Sequence, residues 1–202
     1  MTRLNAPTEL NTERLLLRQW KASDLEPFAE LNADPETMRY FPAPLTRAES
    51  DALVDRASAQ IHERGWGIWA VEVRSTGDFI GFVGLDVPRF EAHFTPAVEI
   101  GWRLLRADWG HGYATEAARA SLAFGFDELR LDEIVAMTVV ANDRSRRVME
   151  RLGMTHDPGD DFEHPLLEEA SPLRRHVLYR LASSDWSSAP PARTANSPAS
   201  PP

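Results

Sequence analysis

Val98-Glu-Ile-Gly-Trp-Arg-Leu-Leu-Arg-Ala-Asp-Trp-Gly-His-Gly-Tyr-Ala-Thr-Glu-Ala-Ala118 is the stretch whose reading decides the fold. Val98, Ile100, Trp102 and Leu104 alternate with Glu99, Gly101, Arg103 and Leu105, the period-2 pattern of a strand. Gly110 and Gly112 then allow a tight turn, and from Ala114 onward the residues are strong helix formers. A strand, a glycine turn and a helix in that order aim free backbone N–H groups and the positive end of a helix dipole at one point. Such a point is an anion site, most often for phosphate.

The surrounding chain bounds what that anion site serves. With 202 residues it is long enough for one domain with a good core and short for two. A formal charge of −9 argues against a nucleic-acid partner and mildly favours neutral or cationic substrates. The absence of cysteine excludes disulfides, thiolate zinc sites and a covalent Cys nucleophile, and fits a cytoplasmic location. Neither a signal-peptide pattern nor an apolar run of membrane-spanning length is present, so no membrane partner is expected. The chain divides into a lead-in (1–11), a folded domain (12–182) and a Ser/Pro/Ala-rich tail (183–202). That tail is too poor in large apolar residues to fold.

Within the domain, Arg14–Trp20 reads as a first strand. Ser23 caps a helix over Asp24–Ala33, and Glu36–Phe41 is a short helical turn before Pro42 and Pro44. The capping box Thr46-Arg-Ala-Glu49 starts a second helix, with Ala52, Leu53, Ala57, Gln60 and Ile61 inward and Gly65 as its stop. Trp66–Arg74 and Phe79–Val87 form a hairpin around Ser75-Thr-Gly-Asp78. The helix after the glycine turn runs to about Glu128, with Ala118, Leu122, Phe126 and Leu129 as its inner stripe. Glu133–Val139 is the next strand, and Asn142 opens a helix that turns Val148 and Leu152 inward and ends at Gly153. Asp157–Pro172 is an acidic loop and Arg174–Leu181 the last strand. Hairpins first and a strand–helix–strand passage later predict an α+β (mixed α/β) fold, with the opening stretch in mid-sheet.

Two phosphate-binding folds fail on Gly110-His-Gly112. A Walker loop needs a lysine that Tyr113-Ala-Thr115 lacks. A dinucleotide fold needs an acid at the end of the next strand, whereas Asp132 and Glu133 stand at its start. The stretch instead resembles the acyl-CoA loop of the GNAT superfamily of N-acetyltransferases, Gln/Arg-x-x-Gly-x-Gly/Ala, aligned on Gly112 and Ala114. Trp109 stands at the first position. Trp-Gly-x-Gly-Tyr-Ala-Thr-Glu-Ala is similar to the branch of ribosomal-protein N-terminal acetyltransferases (RimJ/RimL-like). Asn142-x-x-Ser145 with Arg151-Leu-Gly-Met154, and Arg14-Leu-Leu-Leu-Arg, resemble further family motifs, so the likeness spans roughly residues 11 to 181. It implies a mostly antiparallel sheet of six to seven strands, splayed between the family's fourth and fifth, with about four helices.

The resemblance also implies a chemistry: acetyl-CoA as donor, a primary amine as acceptor, and direct attack in a ternary complex. The acceptor is a protein N-terminus or a small amine, with a cationic one favoured if the acidic loop borders its cleft. The pyrophosphate is expected on the N–H groups of Arg106 to Ala114. The cofactor set is Leu104, Leu105, Arg106, Trp109, Gly110, His111, Gly112, Tyr113, Ala114, Thr115 and Asn142. Leu104 or Leu105 would present a backbone N–H to the oxyanion. Glu99 is the candidate base; the alternative is a salt bridge to Arg103 or to the third strand. The tyrosine that serves as acid in much of the superfamily is replaced by Met149, which leaves Ser145, or else Ser145 only bonds backbone. Asn142 either meets the pantetheine arm or caps its helix. Arg144, Arg146 and Arg147 meet phosphates or form a solvated face. The acidic loop shows no regular metal spacing, so no metal is expected. Trp66, Trp69, Tyr40 and Phe41 line the acceptor cleft, or the tryptophans belong to the core. A catalytically idle acyl-CoA-binding sensor or interaction module is the other functional class, and homodimers occur among relatives.

Overall fold

The structure, a computed structural model, describes residues 8–188. In chain order its elements are β1 (Leu10–Asn11), β2 (Leu15–Arg18), α1 (Leu25–Ala33), α2 (Arg47–Arg64), β3 (Ile68–Val73), β4 (Phe79–Asp86) and β5 (Glu99–Leu104). There follow α3 (Tyr113–Asp127), β6 (Glu133–Val139), α4 (Asp143–Arg151), β7 (Thr155–His156), β8 (Phe162–Glu163), β9 (Arg175–Ala182) and α5 (Ser183–Ser188). The sheet runs β1-β2-β3-β4-β5-β6-β9-β7, with β8 also on β9. Six strands have four residues or more; β1, β7 and β8 add two each, which is why hydrophobic period did not reveal them.

Every neighbouring pair is antiparallel except β5 and β6, which run parallel and share one registered pair, Glu99 with Val135. Beyond that pair the two strands part. The expected splay therefore opens directly after Glu99, at the middle of the sheet.

The two faces of the sheet are packed differently. On one, α3 lies close because its inner residues are small: Ala117, Ala118 and Ser121 are sealed, and a Cβ on Gly125 would come within 2.6 Å of Ile134 Cδ1. Ala118, Leu122, Phe126 and Leu129 are all buried, as their spacing predicts. On the other face α1 and α2 cover β3 and β4, with Phe28 edge-on to Trp20, Phe79 and Phe82. The Thr46 capping box and left-handed Gly65 bound α2 as read, but its inward residues are Ser50, Val54, Ala57 and Ile61. Leu53 is only half-buried, because it stands beside that stripe, on which the Asn32 amide reaches Ser50 Oγ at 2.9 Å.

The short helical turn read at Glu36–Phe41 is present, as hydrogen-bonded turns over residues 35–40 with the Met38 N–H on Asp34 O at 3.0 Å. Three local expectations need correction. Ser23 does not cap α1; Asp24 holds that corner, accepting from the Lys21 N–H at 2.8 Å and from Arg18. Part of the lead-in is the edge strand β1. The start of the tail, Ser183–Ser188, is the short helix α5, whose Trp186 packs on Phe126 with ring centroids 5.7 Å apart. A single tryptophan anchors what composition alone could not; residues 189–202 of the tail lie outside the described residues.

Candidate active site

The loop from β5 to α3 is built by two glycines in left-handed conformation, Gly110 (φ 82°) and Gly112 (φ 80°). The first helical bond of α3 is Glu116 N–H to Gly112 O. The backbone N–H groups of Gly110 through Thr115 thus have no carbonyl partner among the described residues. A Cβ on Gly110 would meet nothing within 4 Å, so the cradle is open. These residues fit a pyrophosphate. The cradle is narrower than the sequence reading: a 3₁₀ turn at Arg106–Asp108 directs the Asp108 N–H to Leu105 O at 2.9 Å and the Trp109 N–H to Arg106 O at 3.3 Å. Neither of those two is available to a ligand.

A clamp from the turn between β1 and β2 fixes the loop. Glu116 accepts from Thr12 Oγ1 (2.6 Å), from the Arg14 N–H (2.9 Å) and from Arg14 Nε (2.7 Å), while Arg14 Nη1 donates to His111 O at 3.0 Å. Burial pushes the Glu116 carboxyl up, but these donors outweigh it and hold the group below its ordinary value. The Arg14 guanidinium also lies 4.7 Å from the Tyr113 ring centre. His111 is exposed and stacks on Tyr113, away from any base or acid role.

Trp109 supplies the loop's link to the splay. Its indole N–H donates to Leu104 O at 2.8 Å, and the Arg144 guanidinium lies 4.5 Å from its ring centre. The first turn of α4 is thereby brought against the loop. Arg146 is tied up with Val140 O and Tyr179 Oη, so of the three arginines it is structural.

Register decides which backbone donors face the splay. Leu105 N–H bonds Ile80 O at 2.9 Å, so it is spent on β4. Gly81 pairs with Leu104 and Val83 with Trp102. Strand alternation then turns the N–H groups of Leu104 and Trp102 to the opposite edge, toward the β5–β6 gap. The Leu104 carbonyl, met by Trp109, confirms that orientation. The Leu105 N–H is thus taken by β4, while those of Leu104 and of Trp102, the latter missed by the sequence reading, face the gap.

Glu99 stands at the apex of the splay, part-buried, with Asp86 across β4 as its registered neighbour. Burial first, and the Asp86 charge second, raise its pKa from 4.5 to about 7. No hydrogen bond or ion pair engages its carboxylate among the described residues, so the expected alternative, a salt bridge to Arg103 or to β3, is not made. Arg103 instead donates to Asn32 Oδ1 at 2.5 Å and lies 4.1 Å from the Phe41 ring centre and 5.4 Å from that of Phe82.

Asn142 caps α4: its Oδ1 accepts from Ser145 N–H at 3.3 Å and its Nδ2 donates to Thr138 Oγ1 at 2.9 Å. Ser145 Oγ meets no partner among the described residues, which leaves the hydroxyl free. Met149 is buried at 2% exposure, so no acid can stand there.

Trp66 and Trp69 are core residues, at 1% and 0% exposure, and do not line a cleft; Phe41, at 40%, does stand open. Three carboxylates of the acidic loop are paired with bases from outside it, while Glu168 and Glu169 stand exposed. Asp160 pairs with Arg180 at 2.6 Å, Asp161 with His156 at 2.7 Å, and Glu163 with Arg174 at 3.5 Å. No group of three or more metal-ligating side chains occurs among the described residues. A separate surface groove beside Arg18, Lys21 and Glu72 has its charges mutually paired and lies away from the loop.

A parallel splay in mid-sheet with an N–H cradle at its mouth defines an acyl-CoA-dependent transferase fold. The sequence profile described as the acetyltransferase (GNAT) domain matches residues 14–155. The chain belongs to the GNAT acetyltransferase family and is an acyltransferase. YkkB of Bacillus subtilis is 36% identical over 154 residues, 75% of this chain and 87% of that protein. The FsC-acetyl coenzyme A-N(2)-transacetylase of Aspergillus fumigatus is 32% identical over 91% of this chain and 80% of its own length. The crystal structure of a GNAT-family acetyltransferase from Bacillus anthracis superposes with a TM-score of 0.73 at 26% identity, covering 88% of this chain and 99% of that one. The family uses acetyl-CoA.

Proposed function

We propose that the protein transfers an acetyl group from acetyl-CoA to a primary amine, with Glu99 as base and Ser145 as acid. The observation that carries this reading is Glu99: a carboxylate without a partner, at the apex of the splay, held near pH 7. A base is most effective when its pKa lies near the working pH. A structural carboxylate at that depth would be paired.

Each residue then has a task. Gly110 to Thr115 hold the pyrophosphate through their N–H groups, on a loop kept rigid by Arg14 and Glu116. Acetyl-CoA supplies an activated acetyl thioester. Glu99 accepts the proton that the amine nitrogen sheds as its lone pair forms the new C–N bond. Trp102 and Leu104 lie about 10 and 16 Å from Glu99 along an extended strand, more than one water spans, so the proton reaches Glu99 through a chain of waters in the splay. The Leu104 and Trp102 N–H groups donate to the carbonyl oxygen as its charge grows. Ser145 Oγ–H gives a proton to the sulfur as the C–S bond breaks and is reprotonated from solvent.

The name of the Aspergillus relative, an N(2)-transacetylase, supports a nitrogen acceptor. Thiol release measured over a panel of primary amines tests the reading. Activity with at least one amine, lost by 10²-fold or more in Glu99→Gln and by a smaller factor in Ser145→Ala while acetyl-CoA binding holds, is the expected result. Background release throughout, with acetyl-CoA bound, would instead favour an idle acyl-CoA sensor.

A further inference from the structure

Glu99, Gly101 and Arg103 share one face of β5, because side chains on a strand alternate. At the two ends of this row stand opposite charges, and neither is neutralised by protein. Arg103 meets no carboxylate among the described residues: its contacts are one amide oxygen, Asn32 Oδ1, and the rings of Phe41 and Phe82. Its Nε is sealed from solvent without a hydrogen-bond partner. Burial alone lowers its pKa to about 10, with no acid nearby to offset it.

Arg18 shows how this protein otherwise treats a buried guanidinium. It is engaged by both oxygens of Asp24, at 2.7 and 2.9 Å, and by Glu72 at 2.6 Å. Leaving Arg103 without such partners is costly unless a ligand provides one. Between the two charges the floor is bare. A Cβ on Gly101 would meet nothing within 4 Å, so there is open space above the middle of the row. Gly101 and Arg103 both keep partial contact with solvent, as a groove floor must.

We propose that Glu99, Gly101 and Arg103 form the floor of a two-ended acceptor groove that takes an amine also carrying a carboxylate. The carboxylate lies on the guanidinium of Arg103, and the amine points along the row toward Glu99, which takes its proton through water. A guanidinium presents parallel N–H donors that match a carboxylate. Four strand residues separate the two Cα atoms by about 13 Å, less the reach of both side chains, so the two groups of the acceptor are several bonds apart. Phe41, exposed and stacked on Arg103, walls the anionic end. This proposal rests on the acetyl-transfer reading above and names the acceptor class for the same site.

The test uses the full chain with acetyl-CoA and matched acceptor pairs. One arm compares ω-amino carboxylates with alkylamines of equal length. The other compares short peptides bearing a free carboxylate with the same peptides amidated. At least one arm is expected to show a preference of about 10- to 100-fold in kcat/KM for the carboxylated member, the range of a charge-assisted hydrogen bond. The arm that shows it separates free amino acids from peptides. In Arg103→Gln that ratio should fall to near one, and in Arg103→Lys to an intermediate value. Gly101→Val should lower turnover with carboxylated acceptors while acetyl-CoA binding is kept. Thermal melting verifies that each variant is folded, and Arg103→Met replaces Arg103→Gln if the latter is not. Transfer without any preference in either arm, or a preference that survives loss of the guanidinium, would overturn the groove alone. No transfer to any amine would overturn the acetyl-transfer reading and the groove with it.

Discussion

The loop that follows β5 and the row of side chains on β5 itself are finished in opposite ways. In the loop the side chains are satisfied: Trp109 bonds the Leu104 carbonyl, Arg144 covers Trp109, and Arg14 with Glu116 locks the backbone, leaving its N–H groups free. On the strand, Glu99 and Arg103 stand on one face, at opposite ends of the row, with no charged protein partner for either. The first region is rigid and built to hold a ligand of fixed shape. The second carries unspent charge, which a protein retains only where it is used or where a ligand completes it.

The largest effect expected from breaking this contrast concerns the two buried arginines. Arg18→Leu strands Asp24 and Glu72 in the interior and should lower unfolding free energy by about 3–5 kcal/mol. Arg103→Leu strands no carboxylate, so its cost in denaturant melts should be about 1 kcal/mol or less. Equal losses would remove the distinction between a structural and a ligand-binding guanidinium.

Next in size is the cost of keeping Glu99 ready. Its folded pKa, about 7, lies above its unfolded value of 4.5. Folding therefore favours its protonated form, and stability is lost as pH rises from the unfolded toward the folded value. Glu99→Gln should be more stable than the parent above pH ~7 by on the order of 1–3 kcal/mol, and match it below pH ~4. Chemical melts at the two pH values check this; a variant destabilised at both would mean that Glu99 holds the fold together.

The smallest effect belongs to the cradle. Gly112→Ala forces a left-handed backbone on a residue with a Cβ, a strain of about 1–2 kcal/mol. The Cβ itself would rest in ordinary contact with Arg14 Nη2, 3.6 Å away, so the backbone strain carries the effect. Acetyl-CoA affinity, read by calorimetry, should weaken roughly 5- to 30-fold. Unchanged affinity would place the cofactor phosphates elsewhere.

Much of this was legible in the chain because it rests on local rules. Alternation in Glu99–Leu104, left-handed glycines at 110 and 112, the Thr46 box and Asn142 as a cap are all short-range signals. What was illegible depends on partners far along the chain. The two-residue strands β7 and β8 exist only because β9 templates them. Carboxylates in the acidic loop looked solvated until arginines 174, 175 and 180 proved to lie beside them. Arg18 and Arg103 are the same residue type on strands, and only tertiary packing reveals that one is paired and the other is not. Leu105 and Leu104 are likewise indistinguishable in sequence, and register alone separates them.

The central claim, that Glu99 is the base on the unsatisfied face of β5, is tested most directly by the pH dependence of kcat/KM in the parent and in Glu99→Gln. Any ionisation of the acceptor amine affects both proteins and cancels in their ratio. Glu99 must be deprotonated to accept a proton, so the parent-to-variant ratio should rise about tenfold per pH unit up to about 7 and be flat above it. A ratio that stays constant across that range, or that remains near one, would contradict the assignment.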